Sequence, residues 1–137
     1  MAPGPIQKPR PPLVVAAHAR ASLKVAAEYA DSWISYGAEF GAPVDVVVEK
    51  TSRRNETLNK YCEKIGRDPG SIRRSLLLFG AEANTAFASE DQFIEIIDRY
   101  TALGITEFIF FYPFFAPEQV PTFEKIAKEV IPELRKK

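Results

Sequence analysis

A run of small residues stands where the first apolar segment of this 137-residue chain turns into a helical pattern. The segment LVV at 13–15 is followed by AAHA at 16–19, and positions 23, 26, 27 and 30 then carry apolar side chains at helical spacing. Almost no side chain covers the backbone at this junction, so a ligand could approach it closely. Close packing of a helix on a strand would need the same small residues. The residues alone leave both interpretations open.

Other side chains that could take part in a reaction also have an ordinary structural interpretation. His18 could act as a general base near neutral pH, but a histidine in contact with water at a loop tip is favoured. Cys62 lies on the apolar stripe of a helix, which is typical of a packed, inert thiol. Glu39 and Glu82 follow two predicted strands, yet no spacing pairs them. We therefore expect both to be solvated loop carboxylates.

Composition and charge narrow the class of protein. A hydrophobic content of 46% predicts one globular domain. Eighteen basic and eighteen acidic residues cancel, so no overall field attracts nucleic acid or an anionic membrane, and neither partner is expected. One cysteine and one histidine cannot supply a zinc tetrad or an internal disulfide, and no metal is predicted. The scattered arginines are expected to contact water or local acids: Arg53, Arg54, Arg73 and Arg74.

The amino-terminal residues differ in composition from the rest of the chain. The sequence MAPGPIQKPRPP at 1–12 contains five prolines and lacks the apolar core of a signal peptide. The longest aromatic run, FIFFYPFFA at 108–116, is too short to span a membrane. We predict a flexible lead-in over 1–12, a single domain over 13–137, and a cytoplasmic location.

The period of the apolar residues predicts four strands, each followed by a helix. The strands cover 13–17, 33–36, 72–79 and 105–112, and the helical patterns end near 30, 65, 104 and 134. Ser89 and Gln92 form a predicted capping box at the third helix. Trp33 and Tyr36 could face a cofactor, but a strand aromatic is more often in the core, and we favour the core for Trp33.

Consecutive strand–helix units predict an α/β protein with parallel strands joined by right-handed crossovers. The apolar runs SLLLF at 75–79 and FIFF at 108–111 predict strands that are covered on both faces. Four such units fit either an open doubly wound sheet or half of an eight-stranded barrel. Periodicity does not choose between the two.

Several stretches resemble the bacterial luciferase-like monooxygenase family of flavin and deazaflavin oxidoreductases. PPLVVAAHARASLKVAAEYADSWISYGAEF resembles a segment of that family in which a strand, a small-residue turn and a helix precede an ADGW sequence. KYCEKIGRDPGSIRRS resembles its GRDP helix end and the following strand. RYTALGITEFIFFYP and FEKIAKEVIPELR resemble its last barrel strand and carboxyl-terminal helix. The order and spacing of these stretches, from about 11 to 135, carry the resemblance.

The resemblance implies four consecutive β-α units equivalent to strands 5–8 of a TIM barrel, and thus the carboxyl-terminal half of an enzyme. It implies FMN or coenzyme F-420, undecided between them, held by its phosphate for hydride transfer or monooxygenation. Arg20 would lie near that phosphate and could add positive charge. Carried over by position, the phosphate contacts would be Ala16, Ala17, His18, Ala19, Ser22, Gly37 and Ala38.

The sequence departs from the family pattern at two points and lacks part of it. His18 stands where the family often has glycine, and Ser32 replaces the glycine of ADGW. The family's reactive groups lie mostly on the first four strands, so no catalytic residue is assigned and the lone chain is expected to be inactive. A half-barrel would leave an apolar face and two open edges, which predicts a homodimer or a complementary N-terminal half-barrel as partner. The alternative function is a non-catalytic half-barrel, either an assembly module or a truncated gene product.

Overall fold

Strands and helices alternate through residues 6–39, 41–79 and 81–136, which the computed structural model describes. Each predicted strand and helix is present, with short 3-10 turns between some of them. The elements in chain order are β1 (Val14–Ala16), α1 (Arg20–Tyr29), β2 (Ser32–Ser35), α2 (Val44–Lys64), β3 (Arg73–Leu77), α3 (Glu90–Thr101), β4 (Glu107–Ile109), α4 (Val120–Lys125), a π-helical segment (Ile126–Val130) and α5 (Ile131–Leu134). The predicted α/β class is confirmed.

The four strands form one parallel sheet whose spatial order follows the chain, β1-β2-β3-β4. A doubly wound sheet reverses its strand order at one point, and that reversal sends its helices to both faces. Right-handed crossovers between strands in sequential order place the connecting helices on a single face. The burial of the strand residues agrees with helices on a single face of the sheet.

One face of the sheet is covered and the other is open. Trp33 and Leu76 point to the covered face and are fully buried. We define the open face by Val14, Ala16, Ile34, Leu77 and Ile109, of which Val14 is 54% exposed and Ile109 41% exposed. The prediction that the strands are covered on both faces is therefore wrong for 108–111, where one face is exposed, whereas 75–79 has no exposed residue on either face. An apolar strand indicates that both faces need cover, but it does not say that the same chain supplies it.

The core lies between the covered face and the helices, including the carboxyl-terminal helical segment, whose Ile126 is fully buried. Trp33 is confirmed as a core residue, and its ring N–H donates a hydrogen bond to the Ala17 carbonyl at 2.8 Å. Cys62 is buried, as predicted. This packing fixes the end of β1 against β2, and it thereby sets the position of the turn that leads into α1.

The amino edge of the sheet, where the strands begin, is held by the residues of the ADSW and GRDP sequences. Asp31 accepts hydrogen bonds from the Leu13 N–H at 2.6 Å and from Arg10 at 2.7 Å, and both contacts keep the pKa of its carboxyl below the ordinary value. Arg67 donates to the carbonyl groups of Ala27 at 2.9 Å and Ala30 at 2.6 Å. These sequences therefore join strands to helices at the edge opposite the predicted site.

The carboxyl-terminal helix is interrupted by a π-helical segment that ends beside a proline. The Ile131 N–H donates to the Ile126 carbonyl, which is the wider spacing of a π-helix. Pro132 follows directly and has no N–H to donate to the preceding turn. The apolar period alone did not predict this break.

The predicted lead-in is described only in part. Its first five residues lie outside the described residues, as does Lys137 at the other end of the predicted domain. Residues 6–12 are exposed, and Arg10 among them pairs with Asp31. Over the described ranges, no helix combines the length and apolar character that crossing a membrane would need.

Candidate functional site

The predicted phosphate residues lie at the carboxyl edge of the sheet, in the turn after β1 and the loop after β2. Because the strands are parallel, both loops leave the sheet at the same edge, where α/β proteins commonly bind ligands. His18 and Tyr36 join the two loops. Their rings meet edge to face at a centroid distance of 3.7 Å, and the Tyr36 N–H donates to Nε2 of His18 at 3.2 Å. The structure thus brings together two loops that lie 18 residues apart.

The small residues of these loops divide into a buried pair and an exposed pair. Ala17 and Ala38 are each 1% exposed and belong to the core. Ala16 and Ala19 are exposed. The Ala17 N–H donates to the Ile34 carbonyl at 3.3 Å, so its backbone donor is also occupied. Only the exposed pair can face a ligand directly.

The first turn of α1 has free backbone donors. Ala19 is the N-cap residue in an extended conformation, no side chain caps the turn, and the turn contains no acidic residue. The amides of Arg20, Ala21 and Ser22 have no hydrogen-bond acceptor among the described residues. The Ser22 hydroxyl instead donates to the Ala19 carbonyl at 3.0 Å. The backbone, more than the Ser22 side chain, is what this turn offers to an anion.

Gly37 has a structural reason to be glycine. Its φ is +73°, and a Cβ at this position would lie 2.6 Å from Cγ1 of Val47 on α2. Its N–H donates to the Ser35 hydroxyl at 3.1 Å, and its carbonyl accepts a hydrogen bond from Arg54. Gly37 therefore shapes the loop and packs it on α2, with its backbone groups already satisfied.

His18 is a neutral imidazole at pH 7. Burial, aided by the positive charge of Arg54, lowers its pKa to about 4. Because Nε2 accepts the Tyr36 N–H, the ring carries its proton on Nδ1. The nitrogen that a general base would use is occupied, so the geometry gives His18 the role of a contact between loops.

Arg54 is the residue of this region that the sequence interpretation missed. Its guanidinium donates to the Gly37 carbonyl and lies 5.9 Å from the centroid of the Tyr36 ring. Burial lowers its pKa from the ordinary arginine value, and no carboxylate among the described residues forms a salt bridge with it. Glu39 is the local acid that acts on it, through charge and without a salt bridge. The available signal was its position on the buried stripe of α2, between Thr51 and Leu58.

The two carboxylates singled out in the sequence have different surroundings. Glu39 is exposed and pairs with Lys50 at 2.7 Å, which confirms a solvated loop residue. Glu82 is 5% exposed and accepts hydrogen bonds from the Tyr100 hydroxyl at 2.6 Å and from Arg99. The same prediction is wrong for Glu82, because the turn that carries it packs against α3.

The site therefore combines uncapped backbone donors with a partly buried cation that forms no salt bridge with the described residues. Such an arrangement can bind an anion. Within the described ranges, no three His, Cys, Asp or Glu side chains are grouped so as to hold a metal ion. A scan of the sequence against models of protein families finds no match, and a search of curated proteins finds no significantly similar sequence.

Proposed function

We propose that this chain is part of a luciferase-like oxidoreductase that binds FMN or coenzyme F-420 through its phosphate at the start of α1. The observation that carries the proposal is the uncapped first turn of α1, with the positive charge of Arg54 near enough to act on the neighbouring His18 ring. The resemblance of the sequence to that family supplies the identity of the anion.

The residues present fit the phosphate end of such a cofactor. The amides of Arg20, Ala21 and Ser22 would donate to phosphate oxygens, and the helix dipole would favour the negative charge. Arg54 would add positive charge from behind the pair formed by His18 and Tyr36. Among the predicted contacts, Ala17, Gly37 and Ala38 would hold the two loops in shape by packing in the core, without contacting the phosphate.

When bound, FMN or F-420 supplies the redox chemistry, either hydride transfer or monooxygenation. The proposed task of this chain is to bind and orient the phosphate. His18 would remain neutral and would take no part in proton transfer. The lone chain is expected to be inactive, since barrel enzymes draw their catalytic groups from several strand ends around a closed barrel.

We further propose that the sheet is half of a β8α8 barrel, completed by a second copy or by a complementary N-terminal half-barrel. The sequential strand order, the single covered face and the open edges of β1 and β4 support this proposal. Light scattering after size-exclusion chromatography should find an assembly larger than the monomer. A stable monomer at micromolar concentration would contradict the half-barrel.

The open face also favours the second candidate, a non-catalytic assembly module or a truncated gene product. Such a protein would associate through the same face but bind neither cofactor. Ligand binding is therefore the property that separates the two candidates.

Fluorescence titration with FMN, F-420 and riboflavin tests the phosphate site, because riboflavin is FMN without its phosphate. We expect FMN to bind at least about tenfold more tightly than riboflavin, which corresponds to roughly 1.4 kcal/mol. The tighter binder of FMN and F-420 would identify the cofactor. Equal affinity for FMN and riboflavin would contradict the phosphate assignment, and no binding of either cofactor would favour the assembly module.

A pair of variants at Ala19 locates the binding. Ala19→Asp should remove the preference for FMN, because its carboxylate would occupy the helix start and repel phosphate. Ala19→Ser caps the same turn without a charge and should keep most of the preference. Ala17→Asp would be a poor test, since a carboxylate at that buried position would disturb folding. Unchanged FMN affinity in Ala19→Asp would place the phosphate elsewhere.

A further inference from the structure

An aromatic cavity lies beyond β3 and β4, at the same carboxyl edge as the phosphate turn but on the other half of the sheet. Its volume is about 490 Å³, within the usual range for small-molecule sites. The wall is formed by residues from the loop after β3 and the loop after β4. The rings that line it belong to Phe79, Phe111, Tyr112, Phe114 and Phe115.

The two loops that form the cavity are fastened to each other by a buried glutamine. Gln119 donates from its side-chain amide to the Asn84 carbonyl at 2.7 Å, and its side-chain oxygen accepts the Phe87 N–H at 3.2 Å. Tyr112 is held from behind by an edge-to-face contact with Phe123 on α4, at a centroid distance of 5.2 Å. These contacts hold the Asn84 backbone on one loop and the Tyr112 ring on the other before any ligand arrives.

The chemistry of the wall selects for a neutral ligand. Of the described residues that line the cavity, none is a lysine, arginine, aspartate or glutamate. The polar side chains are those of Asn84 and Tyr112, and neither forms a hydrogen bond with a described residue. Aromatic faces favour flat, unsaturated rings in offset or edge-to-face contact. The described part of the aromatic wall offers a charged ligand no partner of opposite charge.

We propose that this cavity binds a neutral, unsaturated ring compound, with Asn84 and the Tyr112 hydroxyl available to bond a carbonyl or hydroxyl group at its edge. As an assignment of the substrate class, the proposal rests on the proposed function, since only a bound cofactor would supply hydride transfer or oxygenation. The binding itself requires no cofactor. It can therefore be measured separately.

Two fluorescent probes that share one skeleton test the proposal on the full chain without cofactor. N-phenyl-1-naphthylamine is neutral, and 1-anilinonaphthalene-8-sulfonate carries an added sulfonate. We expect the neutral probe to bind at least about tenfold more tightly. Equal or tighter binding of the sulfonate, or no binding of the neutral probe, would overturn the assignment.

Three carboxylate substitutions at exposed apolar positions locate the bound probe. Phe114 is 74% exposed, so Phe114→Asp should fold normally and weaken binding of the neutral probe by at least about tenfold. Tyr29→Asp on α1 should leave the affinity unchanged, and Val14→Asp reports whether the probe binds to the open face instead. A loss of binding in Val14→Asp with retention in Phe114→Asp would show that the probe occupies the open face and would overturn the proposal.

The Ala19→Asp variant separates this proposal from the proposed function. It should lower the affinity for FMN while the neutral probe binds as it does to the unsubstituted chain. In one outcome, FMN fails to bind while the neutral probe binds, more weakly to Phe114→Asp and unchanged to Tyr29→Asp. That result would support the cavity assignment and contradict the phosphate site. If Phe114→Asp binds the neutral probe unchanged, the cavity assignment is wrong whatever FMN does.

Discussion

At the amino edge of the sheet, side chains satisfy the backbone groups, whereas at the carboxyl edge the first turn of α1 leaves its amides without acceptors. Asp31 and Arg67 each bind two backbone or side-chain partners across element boundaries. Both belong to the ADSW and GRDP stretches that carry much of the family resemblance. The residues of those stretches therefore have a structural role, which is to join strands to helices. The candidate site lies at the opposite edge of the sheet.

The starts of α1 and α3 differ even though both leave the carboxyl edge. Ser89 accepts the Gln92 N–H at 3.1 Å, which confirms its predicted role as N-cap, and Glu90 and Asp91 follow in the first turn of α3. The start of α1 has neither a capping side chain nor an acidic residue. Helix α3 thus supplies its own negative partner, and α1 leaves that position open to an external anion.

The largest expected effect belongs to the amino edge. Arg67→Gln should lower the free energy of unfolding by about 2–3 kcal/mol, because it removes charge-assisted hydrogen bonds to two carbonyl groups of the α1 end. Arg53→Gln is a matched control on the exposed surface of α2 and should change stability by less than about 0.5 kcal/mol. Urea denaturation measures both. Similar changes in stability for the two variants would contradict the stabilising role assigned to Arg67 at the amino edge.

Capping substitutions at the two helix starts should have opposite signs. Ser89→Ala removes an existing cap and should lower stability by about 1 kcal/mol. Ala19→Ser supplies a missing cap and should raise stability by about 0.5–1 kcal/mol. Thermal and urea unfolding of both variants check the comparison. A destabilised Ala19→Ser variant would mean that the first turn of α1 already has its partners.

The smallest expected effect is a dependence of stability on pH through His18. Its pKa is about 4 in the folded protein, below its ordinary value of 6.5, so the unfolded chain binds the proton first as the pH falls. This contribution is complete above about pH 6.5 and is lost between there and pH 4. Partial contact of the ring with solvent limits it to about 1 kcal/mol or less.

His18→Gln isolates that contribution from the carboxylates that titrate in the same range. The unsubstituted chain should lose more stability between pH 7 and pH 5 than the His18→Gln variant does. An identical pH dependence in both proteins would contradict the lowered pKa.

The apolar period predicted the elements well because each helix and strand buries residues at its own spacing. Trp33 and Cys62 were predictable for that reason. The open face was not predictable, because an apolar strand such as 108–111 indicates that both of its faces need cover but not which chain covers them. Arg54 and Glu82 were missed because their partners are a loop carbonyl and a distant tyrosine, and only the folded chain brings such groups together. The sequence predicted where the small-residue turn lies. It did not predict which of its alanines are buried, because that depends on the contact between Trp33 and Ala17.

Backbone amide NMR during separate titrations with FMN and riboflavin tests the central claim, that the start of α1 is an open phosphate site, most directly. The account predicts that FMN shifts the amide signals of Arg20, Ala21 and Ser22, that riboflavin leaves them in place, and that the first turn of α3 responds to neither ligand. Equal shifts with FMN and riboflavin, or FMN-induced shifts that avoid the first turn of α1, would contradict it.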